Sequence, residues 1–144
     1  MDHDQYEQIY TIVNWYDGPR EGLADFCGRP HFYLSNFDDL EEDQEGTFQL
    51  SPVDADTLSL ALEDWAIWLR WEAAFHRRDS QARGTHPALP GERRRHEELE
   101  SVLKARLTIR HGSVVAKATF RRRSGDAVGE WMPHLEVLWT PIPP

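Results

Sequence analysis

The spacing of apolar and polar positions changes period twice along the chain. Gln8–Tyr16 (QIYTIVNWY) is rich in β-branched and aromatic residues and reads as a strand. Asp17–Gly22 (DGPREG) combines turn formers and breaks it. The runs LADFC and HFYLSNF flank Gly28 and Pro30 and predict a hairpin. Asp38–Gly46 is an acidic stretch expected to be a solvated loop, and Thr47–Pro52 (TFQLSP) predicts one more short strand.

The period then lengthens to that of a helix. Asp54 or Asp56 supplies the start signal, with acids in the first turn complementing the helix dipole, and the helix should run to about Arg78. Asp79–Gly91 carries two Gly and two Pro and reads as a loop. A second helix, Glu92–Leu107, has a narrower stripe of Leu99, Val102 and Leu103 and should lie outside with one face buried. Alternation returns in SVVAKATFRRR, where Val114, Ala116, Ala118 and Phe120 face one way and Lys117, Thr119 and Arg121 the other. SGDAVGEWMP reads as a connection, and HLEVLW resumes the alternation with Leu135, Val137 and Trp139. Strands, two helices, then strands predict an α+β fold: an antiparallel β-sheet from N- and C-terminal strands with two central α-helices packed on one face. Residues 1–144 are expected to form a single domain.

The first helix carries the densest chemistry. Leu58, Leu62, Trp65 and Leu69 form one row at helical spacing, and Ala61, Trp68 and Phe75 a second beside it. Trp71 and Ile67 fall well round the cylinder. A helix apolar over so much of its girth is either enclosed or offers its second side to a partner, and enclosure is the favoured reading. Glu72 projects between the rows, where a carboxylate must be neutral, paired or hydrogen-bonded. His76, four residues on, is its first candidate partner; a structural pair is favoured over an acid or base with a raised pKa. Trp68, Trp71, Glu72, Phe75 and His76 are therefore the candidate binding residues.

His96 and Glu100 make a second i, i+4 pair, but the spacing is too loose to predict a metal site, even if they converged with Glu72 and His76. Cys27 and His31 could be read as a thiolate and its base; two ends of a hairpin turn is the plainer reading. The triplets Arg93–Arg95 and Arg121–Arg123 lack interleaved aromatics and read as solvated charge or as partners of the acidic half. No phosphate loop, GxSxG, HExxH or paired CxxC is present. No catalytic residue, metal or cofactor is predicted, and an enzyme of a common class is disfavoured.

Charge and composition narrow the class. The net charge of −9 is unevenly spread: residues 1–64 hold sixteen acids against two arginines, and residues 65–144 fourteen bases against nine acids. An acidic half disfavours nucleic acid and suits a protein partner with a basic surface. No apolar run reaches the roughly 20 residues of a membrane span. A single cysteine and an acidic N-terminus lacking a leader pattern point to the cytoplasm. The expected function is a small cytosolic binding or accessory protein of interaction, inhibitor or immunity type. The alternative is a small-molecule-binding domain or enzyme with a pocket near Glu72, His76 and the tryptophan helix. Whether Glu72 lines a cavity discriminates the two.

Overall fold

The computed structural model describes residues 5–15, 18–36, 47–110, 113–127 and 133–143. The predicted acidic loop, Asp38–Gly46, lies outside them. Six strands follow in order: β1 (Glu7–Trp15), β2 (Pro19–Phe26), β3 (Arg29–Ser35), β4 (Thr47–Pro52), β5 (Val114–Ala127) and β6 (Pro133–Pro141). Between β4 and β5 stand α1 (Ala55–His76) and α2 (Arg93–Arg106), separated by two short 3-10 turns, Ser80–Ala82 and Pro90–Glu92. The strand assignments meet their predictions with two corrections. β2 begins at Pro19, inside the stretch expected to turn, and β5 runs on to Ala127, into the expected connection.

Each strand is antiparallel to its neighbour, and β1 also pairs with β6 through Glu7↔Val137 and Gln8↔Glu136. That pairing closes the sheet into a six-stranded barrel. The open sheet with helices packed on one face is thereby overturned. Alternation reveals that a strand has one apolar face, but carries no information on whether the first and last strands meet. The helices are an excursion from a barrel whose chain returns beside the strand it left, since β4 pairs β5.

Alternate residues of the strands fill one continuous core that includes Ile9, Ala24, Tyr33, Phe48, Leu50, Ala116, Val137 and Trp139. Phe48 sits edge-on to Tyr33, Phe120 and Trp139, with ring centres 5.6–5.9 Å apart. A barrel of so few strands has room only for side chains, and these aromatics occupy it. Buried polar groups in it are satisfied: the Trp139 indole N–H donates to the Asp25 carbonyl at 2.9 Å, and the Tyr33 hydroxyl to the Thr11 carbonyl at 2.8 Å. The opposite face of β2 and β3 sends Leu23 and Phe32 into a second core with Ala61 and Ile67 of α1 and Leu99 and Leu103 of α2.

Of the two candidate start residues Asp54 caps α1, its carboxylate accepting the Thr57 amide at 2.8 Å. The two predicted rows of α1 are met in part. Leu62 is 38% exposed, whereas Ile67 is 2% exposed and Ala61 and Ala74 are buried. At 100° per residue the buried positions fall on two sides of α1, Thr57, Ala61 and Glu72 on one and Ile67 and Ala74 on the other. On α2, Leu99 and Leu103 are buried as predicted, but Val102 is exposed. Among the described residues no helix is long and apolar enough to cross a membrane.

Some of the acids of the first half meet bases of the second across the two helices. Asp56 of α1 pairs with Arg106, Glu63 with Arg95 and Arg70 with Glu92, an antiparallel ladder of ion pairs. In the second arginine triplet, Arg121 pairs with Glu136 and lies over the Tyr6 ring. Cys27 and Gly28 form the two-residue turn of the β2–β3 hairpin, both at positive φ, as the favoured hairpin turn requires. The Glu7 carboxylate accepts both turn amides. The His31 Nδ1–H donates to the Arg29 carbonyl at 2.8 Å, which suits a structural turn better than a thiolate and its base.

Candidate functional site

The chemistry collects outside the barrel, where β1 leaves the regular ladder. Its register against β2 shifts between Ile9 and Thr11, and twice more between Ile12 and Trp15. Such bulges bend a strand and re-aim its side chains. Gly22 makes the close crossing possible: a Cβ there would stand 2.1 Å from the Thr11 carbonyl oxygen and 2.7 Å from the Tyr33 hydroxyl. The bent stretch leaves Val13 and Trp15 exposed, at 64% and 41%, and sets Glu21 of β2 opposite Asn14.

Between this stretch, α1, α2 and the His86–Pro87 segment lies a cleft of about 580 Å³. Trp65 and Trp68, one turn apart on α1, stack within it, centroids 5.1 Å apart and planes inclined by 15°. Both are half-buried and pack against the barrel core. Ala61, Leu103 and Leu107 complete an apolar wall. The polar groups are Glu21, Asp64, Glu100, Lys104, His86 and His96. His96 bridges the helices: Nδ1 meets the Asp64 carboxylate at 2.7 Å and Nε2 meets Glu100 at 3.1 Å. Burial pushes the Glu21 carboxyl above its ordinary value.

The predicted site residues separate. Trp68 lines the cleft; Trp71, Glu72, Phe75 and His76 are not among its lining residues. Trp71 instead secures the loop after α1, its indole N–H donating to the Ala82 carbonyl at 3.0 Å and its ring edge-on to His86. Phe75 stacks on Trp71 and is 52% exposed, and His76 sets its ring against Phe75. Glu72 is 2% exposed, so it is enclosed rather than facing the cavity. The i, i+4 pairing of His96 with Glu100 is present, but its other contact is Asp64, not the Glu72–His76 pair. Among the described residues no cluster suited to a metal ion is found.

Sequence reading missed Glu21, Asp64, His86, Lys104 and the bent end of β1. None stands in a motif. The adjacency of Asp64 to Trp65 and the Gly22 beside Glu21 were the available signals, and both are weak. No protein-family model matches the chain, nor does any curated protein or any solved structure.

Proposed function

We propose that this protein is a binding domain for a small, flat organic ligand, held in the cleft between β1, α1 and α2. The observation that carries the reading is the cavity of about 580 Å³ walled by the stacked Trp65–Trp68 pair. Its volume falls within the roughly 300–1,000 Å³ of small-molecule sites, and an apolar wall with a few convergent polar groups is the usual make-up of one. The interaction-module reading is weakened because acids of α1 are spent on arginines of α2 and His96.

Binding is favoured over catalysis by the character of the lining groups. Asp64 and His96 have the arrangement of an oriented base, but among the described residues no serine or cysteine lines the cleft. The Thr11 hydroxyl there is 2% exposed and accepts the Leu23 amide at 2.9 Å. The described lining thus holds no side-chain nucleophile placed beside that base for covalent catalysis.

Calorimetric titration with flat bicyclic compounds tests the reading, starting with quinoline. Saturable binding is expected, weakened roughly five- to hundredfold in Trp68→Ala, since a stacking surface contributes about 1–3 kcal/mol. A correctly folded Trp68→Ala protein that binds as tightly as the parent would remove the cleft from the account.

A further inference from the structure

We propose that the ligand of this cleft is an organic cation: a flat apolar body carrying a positively charged nitrogen. The inference rests on the cleft being the ligand site and adds the ligand's charge. Among the described residues, three carboxylates, Glu21, Asp64 and Glu100, line the cavity against one ammonium, Lys104, and two imidazoles. Asp64 and Glu100 are engaged by His96, so Glu21 is the carboxylate left to meet a ligand. It stands on β2 at the bulge, half-buried, opposite Asn14. Burial disfavours its charge, and a cation brought beside it would restore what lost water no longer supplies.

The walls agree with this sign. Tryptophan offers the most favourable face to a cation, and the attraction grows when the site is desolvated. Trp15, Trp65 and Trp68 line the same cleft as Asp64. An anion of equal shape would meet the carboxylates at short range, which is a discrimination against the wrong ligand as well as attraction for the right one. A neutral body would gain the stacking and nothing from Glu21.

Three matched bicycles separate the terms by calorimetry at pH 7.5 and low salt: N-methylquinolinium, quinoline and 1-naphthoate. The cation is expected to bind at least tenfold more tightly than quinoline, and 1-naphthoate to show no saturable binding. In Glu21→Gln, the ratio of cation to quinoline affinity should fall at least fivefold. Quinoline or 1-naphthoate binding as tightly as the cation would overturn the charge assignment while leaving the cleft as a ligand site. An unchanged ratio in Glu21→Gln would do the same. If none of the three binds, the ligand-site reading fails and this inference falls with it.

Discussion

Two neighbouring residues of β2, Glu21 and Gly22, do more for the cleft than their place in the sequence suggests. A methyl at Gly22 would collide with the backbone carbonyl of Thr11, which cannot swing aside as a side chain does. Gly22→Ala should therefore cost at least about 2 kcal/mol, as forced overpacking does. Gly28→Ala meets nothing within 4 Å and carries only the strain of its positive φ of 76°, about 1–2 kcal/mol. Urea denaturation of both variants checks the order, and a larger loss at Gly28 would contradict the close crossing. Glu21 is a carboxyl whose folded pKa is raised by burial. Its contribution is therefore intact below the unfolded pKa and lost as pH rises through the folded value. Glu21→Gln should raise the melting temperature at pH 7.5, by a few degrees at most for a half-exposed group, and leave it unchanged near pH 3. Equal gains at both pH values would mean that charge is not the cause. A site that keeps a stability-reducing carboxylate fits a role in binding.

At the scale of elements, α1 and α2 are held by two unequal means. The ladder of ion pairs is exposed, and each such pair contributes under about 1 kcal/mol. Leu99 and Leu103 are enclosed against α1 and the barrel. Leu99→Ala should cost about 2–5 kcal/mol, whereas Arg106→Ala should leave stability close to that of the parent. Thermal melts in 0.1 M and 1 M salt would separate the terms, because screening weakens only the ion pairs. A strong salt dependence of the parent protein would reverse this ranking. The tryptophans of α1 also divide by role. Trp65 and Trp68 build the cleft wall, and Trp71 ties down the loop through Ala82. Trp71→Phe removes that hydrogen bond, so limited proteolysis should cut residues 79–91 faster; an unchanged rate would show that the loop is held by other contacts.

For the whole molecule, closure decides behaviour. Trp139 touches Tyr33, Phe48 and Phe120 from β6 and reaches Asp25 of β2 across the barrel. Trp139→Ala should cost on the order of 3–5 kcal/mol. Trp65 and Trp68 of α1 pack on the same core, so far- and near-ultraviolet dichroism should lose signal in one shared transition. Helical signal outlasting the tertiary signal would show that α1 and α2 hold together without the barrel.

What was legible from sequence is local in origin. The Asp54 cap, both helices, the Gly28 turn and the alternation of Val114–Phe120 follow from neighbours within a turn or a strand, where spacing and propensity act. The cap and turn chemistry leave little choice of alternative there. The row through Ala61 was legible, but the enclosure of Ile67 and Ala74 on a further side of α1 escaped that logic, because which sides of a helix are covered depends on elements distant in sequence. Barrel closure escaped it too: Glu7 and Val137 are far apart in sequence, and no local preference records their meeting. The cleft is the furthest from the sequence. It joins a bulge in β1, Glu21 of β2, one face of α1 and the His96 of α2, and a cavity is a property of the space between such elements, which only their packing defines.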